Sequence, residues 1–493
     1  MNVRPPVLLL AAGLGLCALP AQAARDTLIL GMVLEPPHLD PTAGAAAAID
    51  EVVYANVFEG LTRITATGAV ELALARELTV SEDGLVYTFR LHPDVRFHDG
   101  STLEAGDVVF SFERAMGEDS VNAQKGLFEP IADVAAPDDE TVVITLERPT
   151  GSLLFNLGWG DAVIVDPASA DSNRTEPVGT GPLRFARWIS GDRVELVRND
   201  DYWGEPAMLS AATFQFIPDP AAAAAAMLAG DVDAFPNFPA PELMAQFEAD
   251  PRFAVVIGST EGETILATNN ARAPFDDLRV RQAMAHAIDR WALIEGAMYG
   301  YGTPIGSHFA PHHPAYLDLT NQYPHNPQRA RELLAAAGYP DGFSATLRLP
   351  PPSYARRSGE IIAAQFAEVG IALELIPLEW AQWLDQVFRG HDYDLTIVSH
   401  TEPMDIGIYA RDDYYFNYDS PDFDAVMAEL AATTNDAQRY RLLGRAQEII
   451  ARDAVNGFLF QLPKNGVWNA ALEGLWHDSP VQANDLTDVR WRE

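Results

Sequence analysis

The sequence predicts an α/β protein, on three observations. Strand-like runs alternate with self-capped helices through the second half of the chain. Strand-like runs separated by tight turns fill part of the first half. The composition suits a chain that buries large cores, with 493 residues, 48% of them apolar and 21% charged. At roughly 150 residues per domain, that length suggests about two to four structural units.

Residues 1–23 precede the first of these elements and read as a secretory signal peptide. Arg4 gives a positive start, residues 7–19 an apolar run, and Ala21-Gln22-Ala23 a cleavage site. Cleavage after Ala23 leaves 493 − 23 = 470 residues. The single cysteine, Cys17, sits inside the apolar run, and the bulky Leu16 before it disfavours a lipid-anchored start. The mature chain then has no thiol, which excludes a disulfide framework and a multi-cysteine zinc site. No later segment has the ~20 uninterrupted apolar residues of a membrane helix.

The next residues, 27–31, read as a short buried strand, followed by a turn-rich loop over 35–41. Residues 49–61 have helical apolar spacing at Val53, Val57 and Leu61. Strands are expected at 86–91, 95–97 and 141–146, with His98-Asp99-Gly100 as a tight turn and a helix over 107–115. The alanine run 221–226 reads as a helix stopped by Gly230. Further on, Asn326-Pro327 opens a helix that Gly338 closes. Ser420-Pro421 opens another, with Phe423, Val426, Met427 and Leu430 on one face, and Asn435 caps a third. Strands are expected between them at 345–349, 371–376 and 394–398.

Charge and motifs narrow the function. Lys+Arg number 33 against 70 Asp+Glu, a net charge of −37, and lysine occurs only at Lys125 and Lys464. A nucleic-acid surface or a polybasic membrane patch is therefore excluded. No G-x-S-x-G elbow, H-E-x-x-H or EF-hand loop is present. His308 and His312 are spaced i, i+4, but Pro311 and Pro314 break any helix that would align them, so a solvated loop with no metal is expected. Residues 399–418 stand apart, with His400, Glu402, Asp405, Arg411 and several aromatics in one connection after a strand. A connection of ~20 residues in a compact domain is usually functional, and the carboxyl end of a strand is where α/β proteins bind ligands.

Blocks spread along the chain carry a resemblance. They include Leu39-Asp40-Pro41; residues 57–62; residues 82–91 running into 95–100; residues 107–114; and Gly179-Thr180-Gly181-Pro182. Residues 199–203, Gly230-Asp231-Val232-Asp233 and residues 274–289 follow in order. Together they resemble the family 5 extracellular solute-binding proteins of bacterial ABC transporters. The resemblance implies a type II-like periplasmic-binding-protein fold, with two lobes joined by hinge strands and an extra inserted domain. Lobe I would take 24–52, 178–262 and 468–493, the inserted domain 53–177, and lobe II 263–467. It further implies a periplasmic, monomeric, non-enzymatic protein without cofactor. Such a protein closes over a small peptide or peptide-like zwitterionic or cationic solute and delivers it to a membrane permease. Nickel-chelate, opine and sugar-conjugate ligands are the alternatives within the family, and an exported acidic hydrolase is the alternative outside it.

By the same resemblance, Asp405 or Glu402 would meet the ligand ammonium, and Arg411, Arg356 or Arg357 a ligand carboxylate. His400, Tyr414, Tyr415 and Trp383 would add surface on that wall, with Thr42, Gly44 and Trp159 opposite. Gly179 and Gly181 are expected at a crossing between lobes, Asn269 beside the hinge, and Asp277, Arg279 and Arg281 in buried ion pairs.

Overall fold

Two open sheets carry the architecture of the computed structural model, which describes residues 25–402, 405–433 and 435–492. The expected signal peptide and Cys17 lie outside these residues. Among the described residues no helix is long and apolar enough to cross a membrane.

The first sheet has seven strands, in the order Phe253–Gly258, Lys464–Asn469, Ala234–Phe235, Thr27–Met32, Ala211–Phe216, Arg193–Arg198 and Leu183–Ile189. Thr27–Met32 runs parallel to both its neighbours and the other pairs are antiparallel. The second sheet has six strands, ordered Thr303–Pro304, Gly457–Gln461, Glu263–Thr268, Leu395–His400, Phe343–Leu349 and Ile371–Pro377. Helix Ser353–Glu368 crosses between the parallel neighbours Phe343–Leu349 and Ile371–Pro377, as a parallel pair requires. Strand Glu263–Thr268 is buried throughout. Alternation sends Ile265 and Ala267 into one apolar core and Leu266 into the other. Lys464–Val467, expected in lobe II, pair instead in the seven-stranded sheet.

A four-stranded antiparallel sheet, Ala75–Val80, Val86–Leu91, Thr141–Leu146 and Ile131–Asp138, packs on helix Ala105–Met116 around its own core. Gly179 and Gly181 lie where this unit joins the first sheet and not where the chain crosses between lobes. An added Cβ would fall 1.9 Å from the Val57 carbonyl oxygen at Gly179 and 2.4 Å from that of Asn56 at Gly181. Glycine is needed there for close approach of two backbones. The chain crosses between the large sheets at residues 259–262 and 462–463. The two crossings are tied by the Leu462 N–H donating to the Gly262 carbonyl at 2.7 Å.

Most expected helices form where their caps predict. Asn326, Ser420 and Asn435 each accept from the backbone N–H three residues on. Gly230 closes its helix with φ 78°. The helix expected over 49–61 is shorter, Ala47–Val53. Asn56 ends it: its amide donates to the Val52 and Asn484 carbonyls and accepts from the Leu486 N–H, and Ala55 turns to φ 57°. A polar side chain has outcompeted the helical ladder. Residues 95–97 form only an isolated bridge, Arg96 with Thr102. The expected buried ion pairs also resolve differently. Asp277 caps helix Leu278–Ala287 and pairs with a half-exposed Arg279, while buried Arg281 donates to the Phe275 and Asp453 carbonyls.

Asn269 follows strand Glu263–Thr268 at the end away from the crossing. Its amide donates to the His391 and Tyr393 carbonyls at 3.1 Å, so it fastens a distant loop and not the hinge.

Candidate functional site

Strands Thr27–Met32 and Leu395–His400 both end, at their carboxyl ends, on a cavity of about 310 Å³ between the two lobes. The crossings at Glu261 and Leu462-Pro463 form its floor. Helix Ala47–Val53 brings Ala47, Ala48 and Glu51 to the first-lobe wall beside Met32, Leu34 and Phe238. The opposite wall is aromatic: Trp380, Trp383, Phe388, Tyr354 and Tyr414. Trp380 and Trp383 stack with centroids 5.1 Å apart and planes 8° apart. The Trp383 indole N–H is fixed to Thr396 Oγ1 at 2.9 Å. Phe388 comes from a π-helical turn, Leu384–Arg389, a wide turn that often marks function.

Four carboxylates line this space: Glu51, Glu261, Glu402 and Asp405. Arg411 is the one Lys or Arg among the described lining residues. It already pairs with Asp413 at 3.3 Å, and its side chain is 47% exposed. Asp405 Oδ1 is held by buried His308 Nε2 at 2.6 Å, and Glu261 Oε1 by His312 Nε2 at 2.6 Å. The loop expected to be solvated therefore packs onto the site and positions two of its acids. Glu51 accepts from Asn237 at 3.1 Å and Glu402 from the Thr401 N–H at 3.0 Å. Behind the lining, Asp50 Oδ1, Asp161 Oδ1 and both oxygens of Glu263 have no hydrogen-bond partner among the described residues.

Burial raises Glu51, Glu402, Asp50, Glu263 and Asp161, and neighbouring acids add to it at all of these but Glu51. Burial pushes Glu51 up to about 7, against the pull of Lys464. Burial and then Asp405 push Glu402 up to about 7. Burial, then Glu402 and Glu51, push Asp50 up to about 8. Glu263 and Asp161 are raised well above the carboxylate range, first by burial. His400 is driven down to about 4 by burial, so it presents a neutral imidazole. Chemically the arrangement suits a cation. His400, Glu402 and Asp405 bring donor atoms within 4.8 Å of one another, so an ammonium or a metal ion could sit among them.

Of the residues expected at the site, Asp405, Glu402, His400, Arg411, Tyr414 and Trp383 line the cavity. Tyr415 does not; fully buried, it meets His400 Nε2 at 2.8 Å through its hydroxyl and so orients the imidazole. Thr42 and Gly44 do not line it either. Thr42 is tied to Asp40 and Arg114, and an added Cβ at Gly44 would fall 2.7 Å from the His38 imidazole. Trp159 is buried in a separate apolar cluster with Tyr54 and Trp476. Arg356 donates to the Leu378 carbonyl at 3.4 Å, outside the lining. Arg357 spans the lobes instead, with a two-pronged pair to Glu242 at 2.8 and 2.9 Å. Ser353 to the Pro239 carbonyl (3.3 Å) and Gln482 to the Thr401 carbonyl (2.7 Å) join the same faces, so the lobes are closed on each other. Glu51, Glu261 and Asp50 were missed from sequence. Their signal was acids interrupting apolar runs, Asp50-Glu51 within 45–53 and Glu261 beside an all-buried strand.

The family model of the bacterial extracellular solute-binding proteins, family 5, matches residues 69–406. A glutathione-binding protein, GsiB, from Pectobacterium atrosepticum is 32% identical over 474 residues, covering 90% of this chain and 91% of that protein. Heme-binding protein A from Haemophilus influenzae is 29% identical over 429 residues, covering 78% of each chain. Among solved structures, the periplasmic binding protein DppA from Helicobacter pylori, in complex with the peptide STSA, superposes with a TM-score of 0.89 at 25% identity. That match covers 95% of this chain and 99% of the other. A family match over more than half of the chain, a relative above 30% identity along nearly its whole length and a shared two-lobed fold agree: the chain belongs to family 5 of the bacterial extracellular solute-binding proteins.

Proposed function

We propose that the protein captures a small, amine-bearing, peptide-like solute in the periplasm by closing its two lobes, and hands it to the permease of an ABC importer. One observation carries the reading: four carboxylates line an aromatic-walled cavity whose only described Lys or Arg is the half-exposed Arg411. An ammonium entering between Glu402 and Asp405 gains two charged acceptors and relieves their repulsion. Each buried acceptor left without a partner costs about 1–3 kcal/mol, and more when charged. A cavity of about 310 Å³ lies at the small end of the range for ligand sites, ~300–1,000 Å³. That suits one small solute better than a long peptide. Arg411, at the mouth and 5.1 Å from the Tyr414 ring, is placed to meet a carboxylate at the solute's other end.

The family and the peptide, glutathione and heme named for its relatives support a binding role. In this role the protein works as a monomer and does no covalent chemistry. Closure is a hinge movement about residues 259–262 and 462–463, and the permease reads the closed form. A thermal-shift screen tests the reading, because a bound solute raises the melting temperature in proportion to the logarithm of its excess over Kd. Dipeptides and amino-acid conjugates should raise it; no response from any of them would defeat the proposal.

A second reading, a metal-chelate solute, is favoured by the proximity of His400, Glu402 and Asp405. Calorimetric titration with Ni²⁺, with and without His400→Ala, separates the two.

A further inference from the structure

Both walls of the cavity carry acid, and the two sides are not served by the same counter-charge. On the second-lobe wall Glu402 and Asp405 are bound by a backbone N–H and by His308. On the first-lobe wall the one described hydrogen-bond partner of the Glu51 carboxylate is the neutral amide of Asn237. Lys464, whose charge pulls on Glu51, directs its ammonium to the Asp478 carbonyl at 3.4 Å and does not line the cavity. The floor adds Glu261, which is 7% exposed and keeps Oε2 without any partner among the described residues. Asp50 and Glu263 stand behind the two walls with oxygens that have no partner among the described residues. One ammonium between Glu402 and Asp405 answers the second-lobe wall and leaves, among the described residues, Glu51 with the pull of Lys464 alone and Glu261 with His312 on Oε1 and nothing on Oε2. Buried carboxylates in that condition are costly unless a cation arrives.

We infer that the solute carries two cationic groups, one received by Glu402 and Asp405 and the other by Glu51, with Glu261 of the floor between them. This rests on the amine-binding reading above and narrows it to a class: short diamines, guanidino-amines, or a small peptide with a basic side chain. The aromatic wall of Trp380, Trp383 and Phe388 suits the apolar spacer between two such charges. The same field rejects anions, since Arg411 at the mouth is the one Lys or Arg the described lining offers them.

Calorimetry at pH 8 with a matched set of probes tests this: putrescine against n-butylamine, and Ala-Lys against Ala-Ala, on the wild-type protein, Glu51→Gln and Glu402→Gln. The doubly charged member of each pair that binds should bind about tenfold or more tighter to the wild type. Glu51→Gln should erase most of that preference, weakening the doubly charged member several-fold more than the singly charged one. Glu402→Gln should weaken both members. Equal binding within every pair, or a Glu51→Gln loss shared equally by both members, overturns the inference while leaving the amine-binding reading intact. If no probe binds at all, the amine-binding reading falls with it. The unliganded melting temperature of each variant, measured in parallel, separates a binding defect from a folding defect, because relief of repulsion should hold it at or above the wild type.

Discussion

Glu402→Gln should make the unliganded protein more stable and a poorer binder. Burial and Asp405 raise the Glu402 carboxyl from its ordinary 4.5 to about 7 in the folded protein. A group raised in this way contributes full stability below its unfolded value, near 4.5, and loses it as pH rises through about 7. At roughly 1.4 kcal/mol per pH unit, the ionised carboxylate costs the fold about 3 kcal/mol at pH 8. Glutamine keeps the shape and a hydrogen-bonding head without the charge. Equilibrium denaturation of the unliganded proteins should therefore find the variant more stable by up to about 3 kcal/mol at pH 8, and by less than about 1 kcal/mol at pH 5. Putrescine or a dipeptide should raise its melting temperature less than that of the wild type. A variant no more stable at pH 8, or with the same advantage at both pH values, would refute the claim that the site stores repulsion for a cation to relieve.

Three other perturbations probe separate parts of the account. Arg357→Ala removes the two-pronged pair to Glu242 across the closed lobes, a partly exposed contact contributing about 1 kcal/mol. Small-angle scattering of the unliganded variant should give a larger radius of gyration than the wild type, and an unchanged radius would remove the pair from the closure mechanism. Gly179→Ala drives a Cβ to 1.9 Å from the Val57 carbonyl oxygen, so thermal melting should reveal a loss of about 3 kcal/mol, whereas a mere hinge glycine would tolerate alanine. Tyr415→Phe strips buried His400 of its hydroxyl partner. Melting should register about 1–3 kcal/mol of destabilisation, and calorimetry a weaker solute, because the imidazole is no longer oriented.

Much of the fold was legible because it is written locally. Asn326, Ser420 and Asn435 announce their helices by capping chemistry that operates within four residues. The helix expected to reach Leu61 stops at Val53 for a non-local reason: the Asn56 amide finds partners more than 400 positions away, at Asn484 and Leu486. The same divide runs through the site. The 399–418 connection was readable as one charged, aromatic segment after a strand; eight of its described residues line the cavity, and Tyr415 orients one of them. Glu51 and Glu261 come from other elements and meet Glu402 only through the closure of two sheets. Arg357 looked like a ligand-binding arginine until Glu242, 115 residues away, took both its prongs. His308 and His312 looked like loop decoration because their carboxylate partners, Asp405 and Glu261, lie far along the chain.

The central claim is that buried carboxylates hold an amine. Calorimetry at pH 8 that compares each amine-bearing solute with its N-acetylated counterpart tests it directly. Acetylation removes the charge and keeps nearly all the remaining surface. The account predicts that every solute that binds loses measurable binding on acetylation, in the wild type but not as steeply in Glu402→Gln. An acetylated solute that binds the wild type as tightly as its free amine would contradict it.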